Sequence, residues 1–552
     1  MANQSLLSVV AMEGKNEKEV AGNPHMADED TSLIADHSCT KQPAKHVKHI
    51  KGKTYETTNK ILAIIRQRGD IYRRGRSLTI IRDNTLLPLS AAGLDYILGQ
   101  EMQFNSTRYK DGMIVDECID PPSRALKQIL ENIEIHDLED LNAVITAPVI
   151  TRQGRYIYQP GYDTETKLFL AMADVCDALP FEVTPDQVHD ALRFLMSPFK
   201  DFSMASPLDR SALLALLLTA IVRPILPTAP AGGIDAPVQG SGKTLLAECI
   251  GTLATGTFPT VYPHVNSKNA DEEIRKRLQA IMSSGTDAVI WDNVIGDFNS
   301  TTLAGLLTSS TYTDRLLGTS KEIQLPNRFL LIFTGNNLTF TGDMPRRVLT
   351  CRIDAGIENP ATRRFDRCPK TFVQNNRQNL VIAGLTLIRA YLESDDCKTG
   401  GAVPNESTAS FSDWDYLVRQ TVAWIAKIMG ESEYVDPAKA FKQLVSSDPE
   451  LQTLGEMLSL LQVLTKGEWF TAKDLLRHLA APPPEHLHIA NDLRDSLQDL
   501  AGNRKIETSL SLGKVLSYRV DRHTNGKVLK KQQAGNKLAF KVVSSIKAEE
   551  QF

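Results

Sequence analysis

The stretch DAPVQGSGKTLLAECI has the glycines, lysine and threonine of a phosphate-binding loop. Gly240 and Gly242 allow backbone N–H groups to approach phosphates at the start of a helix. Lys243 can reach the β- and γ-phosphates, and Thr244 can ligate Mg²⁺. Pro237 stands where the pattern G-x-x-x-x-G-K-[ST] has its first glycine, and its fixed φ can shape the same turn if its missing N–H is not a phosphate donor. The pattern predicts a site for ATP and Mg²⁺ with these binding residues: Gly240, Ser241, Gly242, Lys243, Thr244 and Leu245.

A magnesium-bound nucleotide also requires a carboxylate at the end of a neighbouring strand. The stretch TDAVIWDNV has an apolar run followed by Asp292, which we predict to be a metal ligand beside Thr244. The next residue, where many such ATPases have a glutamate that activates water, is Asn293. Because an amide can orient water but cannot accept its proton, hydrolysis is either slow or assisted by another carboxylate. Glu272 and Glu273 are candidates by position, although solvated charges on a helix are the simpler interpretation.

Two further motifs follow the predicted metal ligand. RFLLIFTGNNL indicates a strand that ends in Asn336 and Asn337, where an amide could contact the γ-phosphate and position water. An asparagine-rich turn is the alternative. The pair Arg346 and Arg347 comes next, and one of them could act as an arginine finger on the nucleotide of a neighbouring subunit. An ordinary surface salt bridge is the alternative for this pair.

The elements around these motifs indicate an α/β fold. Apolar strands alternate with helical patterns over about residues 245–355. The run ALLALLLTAIV at 212–222 is roughly half of the ~20 residues that cross a bilayer, so it predicts a buried helix and no membrane partner. The seven cysteines have no C-x-x-C or C-x-x-H spacing, which argues against a disulfide framework or a zinc site. Their scatter fits a reducing cytosol, and we expect a cytoplasmic protein.

Length and charge set the remaining limits. A chain of 552 residues predicts several domains, and a formal net charge of −4 means that any nucleic-acid surface must be local. Positive charge dominates residues 41–82, which suits a solvated basic surface or an arm that faces nucleic acid. Within this block, DIYRRGRSLTIIRDNTLLPLS predicts two short strands around a turn at Gly75.

The motifs APVQGSGKTLLA, VIWDNV, TYTDRLLGTSKEIQLPNRFLLIFTGNNL and GDMPRRV resemble those of AAA+ ATPases of the superfamily 3 helicase type. The resemblance is strongest to the replication helicase or primase-associated proteins of prophages and integrative elements, and it spans about residues 60–545. It implies an ATP-dependent, hexameric ring that acts on single-stranded and duplex DNA, with a primase or other replication proteins as further partners. Asn293 departs from the group's pattern and leaves the catalytic base open.

The resemblance also implies a DNA-gripping β-hairpin between the two strand motifs. Superfamily 3 helicases project such a hairpin into the ring channel, and DRLLGTSKEIQLPN matches it. Lys321, at or near the tip, would pair with a phosphate and move with the nucleotide state. Arg315 would do the same or would brace the subunit interface. An ordinary surface hairpin is the alternative.

The C-terminal part has the outline of a winged helix. WFTAKDLLRHL and NDLRDSLQDLAG predict helices, the first capped by Thr471 and Asp474, while SLGKVLSYRV and KLAFKVV suggest two strands of a basic wing. An excess of lysine and arginine suits phosphate contact, and protein docking is the alternative. The predicted DNA contacts here are Arg522, Lys530 and Lys531.

These patterns predict an α/β protein with an AAA+ P-loop ATPase core. The leading functional hypothesis is a DNA-dependent ATPase, a replication helicase or translocase of a mobile element. The alternative, favoured by Asn293, is a nucleotide-switched loader or DNA-binding scaffold with weak hydrolysis. A P-loop kinase is disfavoured because sensor and finger residues have no use there. The predicted segments are a disordered acidic tail at 1–40, a basic mixed α/β domain at 41–190, the ATPase core at 191–358, a helical domain at 359–450 and a winged-helix-like domain at 451–552.

Overall fold

The computed structural model describes most of the chain from residue 45 onward. The acidic tail predicted at residues 1–40 and the predicted hairpin lysine, Lys321, lie outside the described residues. From His46 onward the described elements belong to one compact unit. The described residues are 45–172, 179, 182–265, 267, 269–316, 322–354, 356–357, 360–404, 410–430, 432–502, 504–534 and 537–544.

The N-terminal region consists of short sheets and three helices. Strands two to four form an antiparallel meander, in which the predicted turn at Gly75 is confirmed. The prediction of two strands was incomplete, because a third strand follows a turn at Asp83 and Asn84, both of which have positive φ. The elements are β1 (Lys45–His49), α1 (Thr54–Arg68), β2 (Ile71–Arg74), β3 (Ser77–Arg82), β4 (Thr85–Pro88), α2 (Ala91–Glu101), β5 (Met102–Lys110), β6 (Met113–Ile119), α3 (Ser123–Glu131), β7 (Ala143–Ile145), β8 (Val149–Ile150), β9 (Tyr156–Ile157), β10 (Gly161–Asp163) and β11 (Leu168–Leu170).

Part of the basic block of this region is neutralised by the fold. Its arginines form ion pairs with carboxylates, several of which come from more than 50 residues further along the chain. These pairs offset part of the one-sided charge that residues 41–82 have in the linear sequence. The pairs are Arg68–Asp70, Arg73–Asp140, Arg76–Glu134 and Arg82–Asp70.

A five-stranded parallel sheet forms the next region, as the α/β pattern predicted. The strand that precedes the phosphate-binding loop lies between two later strands, and a buried helix with an apolar run from Ala212 to Val222 packs against one face. The elements are α4 (Pro185–Met196), α5 (Pro207–Val222), β12 (Ala231–Ala236), α6 (Lys243–Thr255), β13 (Thr260–Pro263), α7 (Ala270–Ser284), β14 (Ala288–Val294), β15 (Asp297–Phe298), α8 (Thr301–Leu307), β16 (Thr311–Arg315), β17 (Glu322–Pro326), β18 (Leu330–Asn336), β19 (Thr339–Phe340) and β20 (Val348–Arg352).

Helices follow the sheet, as predicted for residues 359–450. Leu385 and Ile425 from these helices share one hydrophobic core with Leu216 and Leu246, so the sheet region and the helical region are packed together. No helix in the described part of the chain is long and apolar enough to cross a membrane. The helices are α9 (Pro369–Asn375), α10 (Arg377–Glu393), α11 (Asp395–Lys398), α12 (Ser412–Trp414), a π-helical turn (Asp415–Arg419), α13 (Gln420–Met429) and α14 (Ala438–Ser446).

The C-terminal region has its own core and an antiparallel sheet in the order β21-β24-β23-β22. The predicted capping box of Thr471 and Asp474 is confirmed. The prediction that SLGKVLSYRV is a strand was wrong, because Leu512, Val515 and Leu516 are buried at helical spacing. The winged-helix assignment stays a prediction. The elements are α15 (Pro449–Leu464), β21 (Phe470–Thr471), α16 (Ala472–Ala480), α17 (Leu487–Ala501), α18 (Ser509–Ser517), β22 (His523–Thr524), β23 (Lys527–Ala534) and β24 (Lys537–Ser544).

Candidate nucleotide site

The predicted phosphate-binding loop joins strand β12, which lies between β18 and β20, to helix α6. A Cβ on Gly233 would lie 2.7 Å from Thr350 Cγ2, so the glycine at this position permits close packing against β20. Gly240 and Gly242 have φ of 74° and 89°, the left-handed region that glycine adopts without cost. The Ser241 hydroxyl closes the loop by donating to the carbonyl oxygen of residue 238 at 2.7 Å. Helix α6 then begins at Lys243, so its first N–H groups face the loop.

The Lys243 side chain lies across the loop. Its Nζ donates to Asn336 Oδ1 at 2.6 Å and to the carbonyl oxygen of Val238 at 3.2 Å. Burial lowers the pKa of Lys243, while the carboxylates of Asp235 and Asp292 oppose that shift. The lysine is therefore held within the loop beside the tip of β18, where it can exchange protein acceptors for phosphate oxygens.

Two hydroxyl groups converge on the Asp292 carboxylate. Thr244 Oγ1 donates to Asp292 Oδ1 at 2.9 Å, and Thr334 Oγ1 donates to the same oxygen at 2.6 Å. A hydroxyl and a single carboxylate fit Mg²⁺, which usually keeps several waters and takes further oxygens from the nucleotide phosphates. Thr244 and Asp292 are thus close enough to share an ion, and their role as its ligands stays a prediction. No cluster of three or more His, Cys, Asp or Glu with metal-binding geometry occurs in the described part of the chain.

Strand β18 lies between β12 and β14, so the two asparagines at its end reach the site at the carboxyl edge of the sheet. Asn336 contacts Lys243, whereas Asn337 faces the other way and its Oδ1 accepts from Arg352 at 3.0 Å. Asn337 has a φ of 50°, a conformation that asparagine tolerates better than most residues. Of the two predicted amides, Asn336 is the one that the structure brings to the loop lysine.

Asn293 follows Asp292 at the end of β14 and is exposed. Its φ is 58°, and its backbone N–H donates to Thr334 Oγ1 at 3.1 Å. The alternative carboxylates, Glu272 and Glu273, lie in the first turn of α7 and pair with cations of the same helix, Lys276 and Arg277. These ion pairs support the interpretation of both glutamates as surface charges.

The two arginines after β19 have different surroundings. Arg346 is 62% exposed and forms a surface ion pair with Asp343 at 2.5 Å. Arg347 is only 13% exposed, and it donates to the carbonyl oxygen of Ala304 and to Thr308 Oγ1. Arg347 therefore braces its own subunit, and Arg346 is the arginine that is accessible to a neighbour.

The two strands that form the base of the predicted hairpin are present. Strands β16 and β17 pair antiparallel, with Arg315 opposite Glu322, and the Arg315 side chain is exposed. The predicted contact of Lys321 lies outside the described residues. The described strands thus form the antiparallel pair that was predicted, while the projection of the hairpin and its DNA contacts stay predictions.

The three residues predicted to contact DNA in the C-terminal region differ in whether they form ion pairs. Arg522 pairs with Glu450 at 3.1 Å, and Lys530 pairs with Asp521 at 2.7 Å. Lys531 is exposed and has no ion pair with the described residues. The cluster of basic residues in the sequence therefore overstates the free positive charge of the C-terminal region. Of the three predicted residues, Lys531 has the least compensated charge.

No protein-family model matches the chain. No curated protein matches it either. Among solved structures, it is similar to the apo A form of the NrS-1 C-terminal region, with 11% identity, 88% of this chain and 98% of that chain covered, and a TM-score of 0.33. It is also similar to JCV helicase, with 12% identity, 44% of this chain and 67% of that chain covered, and a TM-score of 0.18. Similarity at this level does not assign a function, so the proposal below rests on the arrangement of the site residues.

Sequence reasoning missed three residues of the site. Thr334 lies two residues before Asn336 in an apolar strand, and no sequence pattern marked it as a site residue. Arg352 contacts both Asp235 and Asn337 from the edge strand. Arg363 donates to the carbonyl oxygen of Ser241 at 3.2 Å, from more than 100 residues further along the chain. Only the fold brings these residues to the loop.

Proposed function

We propose that the protein is an ATPase whose site is formed by the loop after β12 and by the ends of β14 and β18. The observation that carries this proposal is the convergence of Lys243, Thr244, Asp292 and Asn336, linked by hydrogen bonds of 2.6 and 2.9 Å. These are the groups that phosphoryl transfer to water requires: a cation for the phosphates, a metal shell and a polar group at the strand tip.

Each residue has a separate task in this proposal. The loop amides and Lys243 bind and orient the β- and γ-phosphates. Thr244 and Asp292 hold the magnesium shell, and bound Mg²⁺ would neutralise charge that develops on the phosphate oxygens. Asn336, which already contacts Lys243 Nζ at 2.6 Å, is placed to orient an attacking water or to contact the γ-phosphate. Arg346, exposed on the loop before β20, would complete the site of a neighbouring subunit in a ring.

We further propose that hydrolysis moves the protein along DNA, as in a replication helicase or translocase of a prophage or integrative element. The order of the sequence motifs and the antiparallel β16–β17 hairpin support this step. Arg315 is exposed on that hairpin, and Lys531 is an exposed cation in the C-terminal region that has no ion pair with the described residues. A hexameric ring, single-stranded and duplex DNA, and a primase or another replication protein are the partners that this proposal entails.

Asn293 supports a second candidate, a nucleotide-switched loader or scaffold. It stands beside Asp292, and an amide there cannot take a proton from water. Such a protein would bind ATP tightly, hydrolyse it slowly, and change its affinity for DNA with the bound nucleotide.

ATP turnover with and without single-stranded DNA tests both candidates. The variant Lys243→Ala removes the loop cation, and Lys276→Ala is the matched control because that lysine pairs with Glu272 on the surface of α7. We expect DNA to stimulate turnover in the wild type and in the control but not in Lys243→Ala. Tight ATP binding without turnover on any DNA would refute the motor and favour the loader. Absence of ATP binding to the wild type would refute both.

A further inference from the structure

The base of the β16–β17 hairpin is held from one side by helix α7. Arg275 forms a two-point ion pair with Asp314, in which Nε donates to Oδ2 at 2.8 Å. The Tyr312 hydroxyl donates to the same carboxylate at 2.7 Å, and Gln279 donates to the backbone oxygen of Arg315 at 2.7 Å. These contacts all involve β16, and they reach β17 only through its pairing with β16.

The N-terminal meander contacts β17 directly. The turn between β2 and β3 has Gly75 at a φ of 58°, and a Cβ at this position would overlap with the backbone oxygen of Gln324. Next to it, Arg76 donates to Glu322 Oε2 at 2.8 Å and also pairs with Glu134. The turn thus lies directly on the backbone of β17, and an ion pair fixes it there.

The same meander is fastened to the end of helix α7. Arg74 is buried and donates to the carbonyl oxygen of Met282 at 2.8 Å. A Cβ on Gly285, the cap of α7, would lie 3.0 Å from Leu86 Cβ of strand β4. The meander therefore spans both the helix that anchors β16 and the strand that completes the hairpin.

We propose that the Gly75 turn is a positioning element that sets where the β16–β17 hairpin stands. By this proposal the N-terminal region influences DNA engagement by holding β17, and not by presenting its arginines to DNA. That assignment agrees with the ion pairs that neutralise Arg68, Arg73 and Arg82 in the same region. The effect on DNA rests on the proposed function of the hairpin, whereas the effect on the hairpin itself does not.

The test replaces Gly75 with alanine and compares it with Gly112→Ala. Both glycines occupy turns with positive φ, 58° and 81°, so both substitutions strain the backbone in a similar way. Only Gly75 faces a neighbouring backbone, because a Cβ on Gly112 would have nothing within 4 Å. A second pair of variants compares exposed arginines: Arg76→Ala removes the contacts with Glu322 and Glu134, and Arg108→Ala, the control, removes a contact with Glu117.

Hydrogen exchange of residues 311–316 and 322–326 is the first measurement, made on the full chain together with its unfolding midpoint. We expect exchange at the hairpin to be at least about tenfold faster in Gly75→Ala than in Gly112→Ala. Arg76→Ala should show a smaller change in the same segments, with an unaltered unfolding midpoint. Equal exchange at the hairpin in each variant and its control would overturn the proposal. If Gly75→Ala does not fold, the Arg76 pair alone decides between these outcomes.

Measurements of ATP turnover then test whether the position of the hairpin affects its engagement with DNA. Basal ATP turnover should be the same in Gly75→Ala and Gly112→Ala, since neither residue belongs to the nucleotide site. The DNA concentration for half-maximal stimulation should rise about tenfold in Gly75→Ala alone. If DNA does not stimulate the wild type but exchange at the hairpin still differs between the variants, the proposed function fails and the positioning role stands. If DNA stimulates all variants equally, the proposed effect of the turn on DNA engagement fails and the ATPase function stands, while hydrogen exchange alone decides the positioning role.

Discussion

Replacing Thr334 with valine tests whether the metal-binding carboxylate is oriented as described. The threonine is buried, and valine has the same shape without the hydroxyl. Two hydrogen bonds are lost: the donor to Asp292 Oδ1 at 2.6 Å and the acceptor for the N–H of Asn293 at 3.1 Å. A hydrogen bond to a charged group contributes about 1.5–3 kcal/mol and a neutral one about 1 kcal/mol. The free energy of unfolding should therefore fall by about 2–4 kcal/mol.

The functional consequence concerns the dependence on Mg²⁺. In Thr334→Val the Asp292 carboxylate keeps its contact with Thr244 but loses the second hydroxyl that orients it. Removing such an outer partner of a metal ligand usually costs about 10–100-fold in metal affinity or activity. The Mg²⁺ concentration for half-maximal ATP turnover, or for binding of a fluorescent ATP analogue, should rise by a factor in that range. The ATP affinity of the loop without metal should change much less.

Thr334→Ser is the matched control, because it keeps the hydroxyl and removes one methyl group. It should retain the Mg²⁺ dependence of the wild type while losing some stability to the small cavity. An unchanged Mg²⁺ dependence in Thr334→Val would refute the role given to the hydroxyl. Equal Mg²⁺ shifts in the serine and valine variants would refute it as well, since packing would then be the cause.

Three further predictions concern the remaining features of the site and the hairpin. Arg346→Ala should lower ATP turnover of the assembled protein by about 10³-fold with an unchanged unfolding midpoint, whereas Arg347→Ala should lower the midpoint because it breaks contacts within the subunit. Asn293→Asp introduces a proton acceptor that tolerates the positive φ, and turnover should rise by about tenfold or more; no increase would indicate that another group activates water. Arg275 holds the pKa of Asp314 at about 2, below the ordinary carboxyl pKa of about 4. The ionised Asp314 carboxylate therefore stabilises the fold fully above about pH 4, and this stabilisation is lost as the pH falls through about 2. The difference in unfolding midpoint between wild type and Asp314→Asn should accordingly stay constant above about pH 5 and shrink below about pH 4, and a constant difference down to about pH 2 would contradict the shift.

Several features could be predicted because they depend on neighbouring residues. The glycine turn before Lys243, the buried strand before Asp292 and the buried helix α5 each follow from local composition and hydrophobic spacing. Parallel strands share one carboxyl edge, so Asp292 and Asn336 were also expected near the loop. Local reasoning failed at SLGKVLSYRV, where an apolar run had to be assigned to a strand or a helix by its spacing alone.

The sequence by itself thus determined the motifs and the α/β pattern of the core, because each depends on residues within about one element of one another. Only the tertiary structure decided which charges remain free, since Arg73 and Arg522 meet carboxylates that no local pattern associates with them. It also separated the exposed Arg346 from the bracing Arg347 and placed the Gly75 turn on the backbone of β17. The physical reason is the same in each case: burial and ion pairing are set by contacts between segments that are distant in sequence.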